Sequence, residues 1–302
     1  MTHRFAHLSD PHLSTLDGVP LSRLLGKRFL SYLSWRRKRR LEHRAEVLDA
    51  LLEDLADGGC SQILVSGDLT HTGLPEEFIE ARNWLQRLGP PEQVAVIPGN
   101  HDSLVETPWE QTYAHWAPYI ASDADQPPTG GYWPSLRLRG PLAFIGLSSA
   151  LPTPPLMASG EIDRAQLDAL ARLLEQQRQR CRIIFLHHSP VDGAEKWRKR
   201  LRNAAALREV IAEHGAELVL HGHGHRQRWS QIPGRDGDVP VLAVPSASAR
   251  GLYGADVAAY NLCSISQAPG GWSLQVETRR LDNAQNKFNG DESREIWLAR
   301  SL

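Results

Sequence analysis

The chain has 302 residues, a formal net charge of −1 and 41% hydrophobic residues. That length suffices for one large α/β domain with a sizeable core, and near-neutrality disfavours nucleic acid as a partner. No apolar run approaches the roughly 18 residues of a membrane-spanning helix, and three widely spaced cysteines, Cys60, Cys181 and Cys263, argue against a disulfide framework and fit a reducing compartment.

The first strand is predicted over Arg4 to Leu8 and runs directly into Asp10-Pro11-His12. No apolar stretch of signal-peptide length precedes it, which predicts a cytoplasmic protein. An insertion follows over about 14–40. Within it Leu25, Phe29, Tyr32 and Leu33 recur at helical spacing and would form an apolar stripe. From Arg23 to Arg44 nine basic residues face one acid, Glu42. The segment is therefore +8 and the rest of the chain −9. Trp35 adjoins the run Arg36 to Arg40. Aromatic and basic residues together predict a surface that meets anionic lipid or a phosphorylated ligand, with contact at the periphery of an inner membrane. The competing reading is a solvated helix that packs its stripe onto the domain.

A helix is predicted over 41–56, stopped by Gly58-Gly59. A strand at 63–65 leads into Gly67-Asp68-Leu69-Thr70, a helix covers 76–88, and a strand at 94–97 leads into Gly99-Asn100-His101-Asp102. Pro and Gly mark loops at 123–134 and 151–155, with paired strands between them at 136–138 and 142–147. A helix at 161–179 places Leu167, Leu170, Leu173 and Leu174 on one face. The apolar run 183–186 leads into His187-His188-Ser189-Pro190, followed by a second basic cluster, Lys196-Trp197-Arg198-Lys199-Arg200 and Arg202. A helix at 207–214 and a strand at 217–220 precede Gly222-His223-Gly224-His225. From 239 onward strands dominate, at 241–244, 260–265 and 272–278. Parallel αβ units early and antiparallel strands late fit two sheets packed face to face with helices outside. No repeat or internal boundary is visible, which predicts a single domain over 1–302.

Five polar motifs thus stand where strands end, and ligands at the ends of neighbouring strands can converge although distant in sequence. Asp, Asn and His without Cys suit Mn, Fe or Zn, and two such ions side by side make a hydrolytic site. Asp10 and His12 are two residues apart, so both can face one ion. Asp68 can bridge two ions, Asn100 adds a neutral oxygen, and His223 and His225 are again two apart. Gly222 and Gly224 let the backbone pass close to the metals. His101 is the candidate catalytic residue that is not a ligand, with Asp102 placed to orient its imidazole. Any motif alone reads as a turn or a helix cap. Five of them sharing one ligand chemistry and one position do not. His3, His7, His71, His115 and His214 lie outside the motifs and read as structural, His221 as a core residue and His43 as a surface one.

The order D-x-H, G-D, G-N-H-D, H, G-H-x-H resembles the calcineurin-like metallophosphoesterase superfamily over roughly Phe5 to His225. The resemblance implies an α/β fold, an αββα four-layer sandwich of two mixed sheets. It implies one metal held by Asp10, His12, Asp68 and His225. The second metal takes Asp68, Asn100, His223 and one histidine of the His187-His188 pair. His187 is favoured because it follows the strand directly, leaving His188 either to support the ligands from behind or to face substrate. It also implies a metal-bound hydroxide as nucleophile, with His101 acting on the phosphoryl oxygens or the leaving group. The compact five-motif layout is most similar to bacterial cyclic-nucleotide phosphodiesterases. The basic insertion departs from that pattern and is similar to enzymes such as UDP-diacylglucosamine pyrophosphohydrolases, so the alternative substrate is a nucleotide-linked lipid or phospholipid at a membrane surface. On either reading Arg36, Arg37 and Arg198 are expected to meet the substrate with His188. A nuclease would need a further DNA-binding element. A non-catalytic scaffold would not need a complete ligand set with His101 present.

Overall fold

The structure is a computed structural model and describes residues 1–13, 15–123 and 132–300. Most of the loop expected over 123–134 lies outside the described residues, as does the first residue of the expected insertion, Ser14.

The hydrophobic runs form two six-stranded mixed sheets. In the first, β1 (Thr2–Leu8), β2 (Gln62–Val65) and β3 (Val94–Val96) are parallel. The sheet continues antiparallel from β1 through β10 (Ala259–Ala268), β11 (Gly271–Asp282) and β12 (Lys287–Ala299). In the second, β5 (Leu142–Gly146), β6 (Cys181–Leu186), β7 (Leu218–His221) and β9 (Asp238–Ala243) are parallel. This row is flanked by antiparallel β4 (Ser135–Arg139) and β8 (Arg228–Pro233).

Alternation along β1 shows how the layers stack. Phe5 points to the second sheet and meets Phe144 edge to face at 5.2 Å. Ala6 and Leu8 point the other way, into a core shared with Leu48, Leu51, Phe78 and Leu85. Those four belong to the helices Ala45–Ala56 and Pro75–Leu88, which cover the outer face of the first sheet. The outer face of the second is covered by Arg164–Gln176 and Ala204–His214 through Leu167, Leu170, Leu207 and Ile211. Strands buried on both faces read as continuous apolar runs, which is why β2, β6 and β7 are legible in sequence. The edge strands β8 and β12 are mostly polar and solvent-facing, and no strand is expected there from sequence.

The helix expected over 41–56 is broken. A single turn, Arg40–Glu42, ends at His43 in extended geometry, and the helix proper restarts at Ala45. The break lets Arg44 N–H donate to the Ser248 carbonyl at 3.1 Å and docks His43 against Ala249. No helix among the described residues is long and apolar enough to cross a membrane.

The insertion is a helix, Lys27–Ser34, that runs into a wider π-helical turn, Trp35–Arg39. It is not held by the Leu25–Leu33 stripe. Leu25 is 74% exposed and Phe29 41%. Polar fastenings hold it instead. Ser31 Oγ donates to the His71 carbonyl at 2.7 Å, and Arg28 donates to the carbonyls of Thr72 and Gly73 at 3.2 and 2.9 Å. Buried Leu24 and Trp35 supply the apolar contact.

Candidate metal centre

The C-terminal ends of β1, β2, β3, β6 and β7 deliver Asp10, Asp68, Asn100, His187 and His223 to one spot, with His12 and His225 beside them. Five of these seven residues, Asp10, His12, Asp68, His223 and His225, have φ between 45° and 67°. Only two other described non-glycine residues have positive φ, Leu156 and Asn286. Left-handed backbone is costly for residues with a Cβ and concentrates at functional sites. Here it turns each chain sharply at the strand end and aims the side chain back across the sheet edge. The turns also crowd together. A Cβ at Gly222 would collide with Ser9 and Asp10, and one at Gly99 with the Asp68 carboxylate.

The side chains form two adjoining cradles. In one, the liganding atoms of Asp10, His12 and His225 lie within 4.8 Å of one another. His225 Nε2 is 3.0 Å and His12 Nε2 3.9 Å from Asp10 Oδ1. His12 Nδ1–H donates to the Thr70 carbonyl at 3.0 Å, which leaves Nε2 facing inward, buried and without a hydrogen-bond partner. In the other, His187 Nε2 is 3.4 Å from Asp68 Oδ2, 3.2 Å from Asn100 Oδ1 and 3.2 Å from His223 Nδ1. Its Nδ1–H is fixed by the Ser66 carbonyl at 2.7 Å. Asp10, Asp68 and His187 form a further group within the same limit, so the cradles meet at the two carboxylates.

The charge state fits a cation. Burial opposes ionisation of Asp68, yet His187, His101 and His12 hold its carboxyl well below the usual carboxylate range. Burial lowers the imidazoles of His12 and His223 well below their usual value, so they are neutral donors. Burial also works against a charged His187, but Asp68 and Asp10 overcome it and raise the imidazole to about 9. Converging carboxylates, inward imidazole nitrogens with no partner and a neutral amide oxygen therefore suit one or two borderline transition-metal ions.

The two members of the pair His187-His188 differ in their hydrogen bonds, although one nitrogen of each lies with one of His223 within 4.8 Å. Both His188 nitrogens are spent on protein, Nδ1 with Ser149 Oγ at 2.8 Å and Nε2 with the Ala158 carbonyl at 3.1 Å. His188 therefore braces the 149–158 segment and does not face substrate. Asp102 likewise does not orient His101. Its carboxylate accepts from the amides of Asp68, Gly99 and Thr70 at 2.8–2.9 Å and ties the Asp68 and Asn100 turns together. The imidazole of His101 is oriented by the His71 carbonyl, which accepts from Nδ1–H at 2.7 Å.

Arg36 and Arg37 are exposed and line neither cavity at the site; the insertion presents Arg39 there instead. Its Nη1 donates to His101 Nε2 at 2.7 Å. Burial, with the Arg39 charge adding to it, lowers His101 to about 3. Sequence reasoning missed Arg39, because Arg36 to Arg40 read as five equivalent cations and only the fold brings one of them onto His101. Lys199 reaches the site as well, and Arg198 lines its rim. His43 is buried, not a surface residue, and packs on His12 with ring centres 4.5 Å apart; His71 stacks on the same ring at 5.0 Å. Both wall the first cradle.

A family model described as calcineurin-like phosphoesterase matches residues 3–227. The 3',5'-cyclic adenosine monophosphate phosphodiesterase CpdA of Haemophilus influenzae is 25% identical over 243 residues, 74% of this chain and 76% of that protein. A probable cyclic nucleotide phosphodiesterase of Synechococcus is 30% identical over 167 residues, 54% of this chain and 57% of that one. Among solved structures, a purple acid phosphatase from yellow lupin (Lupinus luteus) seeds superposes with a TM-score of 0.58 at 11% identity. The match covers 98% of this chain and 54% of that protein, and shows a shared fold.

Proposed function

The chain belongs to the calcineurin-like phosphoesterase family and is a metal-dependent phosphoester hydrolase, and from that premise we propose that it is a dinuclear phosphodiesterase of cyclic-nucleotide type, with residues 1–302 forming one catalytic domain. The observation that carries this reading is the pair of adjoining cradles in which the buried Nε2 of His12 faces inward with no partner. One ion would be held by Asp10, His12, Asp68 and His225, the other by Asp68, Asn100, His187 and His223. Two ions there would lower the pKa of water and offset phosphate charge in the transition state.

The chain's own groups do the rest. Arg39 faces the site with its guanidinium and can donate to two phosphoryl oxygens in a fork. When the guanidinium turns to a phosphate, His101 Nε2 loses its present donor. It would then be free to accept the proton that the attacking water gives up and pass it to the departing oxygen, while Nδ1–H stays bonded to the His71 carbonyl. Purified protein reconstituted with Mn, Fe or Zn should hold close to two equivalents by elemental analysis and hydrolyse bis(p-nitrophenyl) phosphate and cyclic nucleotides. A metal content that stays near zero after reconstitution would sink the reading.

A second reading, a phosphoester substrate anchored in an anionic membrane, is favoured by one observation. Leu25, Phe29 and Leu30 are exposed beside exposed Arg36, Arg37, Lys38 and Arg40. Each basic residue near an anionic bilayer contributes about 1 kcal/mol. On this reading the protein co-sediments with anionic vesicles at low salt and dissociates as salt rises. Phe29→Asp should weaken that binding while leaving bis(p-nitrophenyl) phosphate turnover unchanged. Equal co-sedimentation of both proteins would remove the membrane from the account.

A further inference from the structure

The cavity over the metal cradles has two arms, about 370 and 430 Å³ in volume, that join at Arg39, Asn100 and His101. The larger is the polar one, walled by His43, His225 and Asp68. The smaller runs between the insertion helix and the 156–158 segment, touches the candidate metal ligands only at Asn100, and is different in kind. Leu30 and Leu104 lie on one side, Leu156 and Met157 on the other. Lys27, Arg39, Lys196, Arg198 and Lys199 ring it. Among the described residues no carboxylate lines it, and none of these five cations has an ion pair within 4.0 Å.

Cations without an ion pair around aliphatic side chains repel one another, and only Arg39 feels the carboxylates of Asp68 and Asp10. The arm is completed by a ligand that is anionic at one place and apolar at another. Leu156 adds an independent sign. It holds a left-handed backbone conformation, φ 66°, with a side chain 72% exposed at the lip of this arm. Such an arrangement costs energy for a bulky residue and wins no burial in the free protein. The apolar part is aliphatic. Apart from His101 no ring lines the arm to stack a nucleobase, and apart from Asn100 no side-chain amide lines it to read a base edge.

We propose that this arm binds an alkyl or acyl chain, which deepens the second reading above: the site would favour an anionic phosphoester carrying an aliphatic group over a cyclic nucleotide. This rests on the functional reading above for the position of the scissile phosphate, but the arm can be tested without turnover. Octyl phosphate, kept below its micelle-forming concentration, would be titrated by calorimetry into metal-loaded and chelator-treated protein, against inorganic phosphate and AMP. Octyl phosphate should bind at least about tenfold more tightly than either, since several buried methylenes each favour the complex. The preference should be present in both forms of the protein. Leu30→Asp and, separately, Met157→Asp should abolish it while leaving metal content unchanged.

If AMP or inorganic phosphate binds as tightly as octyl phosphate, or if neither variant alters the preference, the inference is wrong. If the preference holds in a protein that takes up no metal, the phosphodiesterase reading fails and the arm stands. Phosphatidylglycerol vesicles distinguish the source of the chain. Competition between vesicles and octyl phosphate identifies a lipid drawn from a bilayer, and its absence identifies a dissolved amphiphile; either supports the arm. Vesicle binding with no preference for octyl phosphate overturns it.

Discussion

Asp68→Asn should leave a folded protein that holds at most one metal ion per chain and has lost nearly all activity. The substitution keeps the shape of the side chain, and its amide oxygen can still accept from the His101 backbone N–H, bonded to Asp68 Oδ1 at 2.7 Å. What it removes is the anion at the junction of the two cradles. The remaining carboxylate, Asp10, bonds to His225 at 3.0 Å and reaches the His187 side only at the edge of that cradle, so the second ion loses its nearest anion. Metal-assisted charge stabilisation supplies several kcal/mol, so the rate should fall roughly 10³-fold or more. Elemental analysis and the rate with bis(p-nitrophenyl) phosphate, read on one preparation, check both halves. Two equivalents of metal in the variant would show that Asp68 is not the bridge.

His101→Ala should do the opposite to metal content and nearly the same to rate. The imidazole bonds to the His71 carbonyl and to Arg39, and neither is a proposed ligand. Two equivalents of metal should therefore remain. The rate should fall by roughly 10²- to 10⁴-fold, the usual contribution of a positioned acid–base group. The loss should be smaller for a diester with a good leaving group, which needs little protonation, than for a cyclic nucleotide. Loss of metal in the variant would place His101 among the ligands.

Much of this architecture is legible in sequence because the physics is local. β2, β6 and β7 are short apolar runs that end in a polar motif, and being buried on both faces they carry no polar alternation to confuse the pattern. The seven residues singled out from those motifs are the ones the fold brings together. The hidden parts depend on distant chain. Nothing near Asp102 shows that its carboxylate is consumed by amides of Asp68 and Thr70, more than thirty residues away. His43 and His71 are single histidines in unremarkable contexts, and only the fold stacks them on His12. Five consecutive basic residues, Arg36 to Arg40, look equivalent until the fold brings one of them onto His101. β12 is polar along most of its length and is a strand because β11 offers it a free edge over twelve paired positions.

The left-handed residues at the strand ends have a consequence beyond chemistry. Each costs on the order of 1 kcal/mol or more, and five of them together approach the lower end of a domain's whole margin of stability, about 5 kcal/mol. Ions that bind only the native arrangement add to that margin by mass action. Chelation should therefore reduce the melting temperature as well as the rate. In a cell short of transition metal the unfolded fraction rises, and proteases act on that fraction. The chain would then be scarce where its metals are scarce, so metal supply would set how many copies persist as well as how many are active.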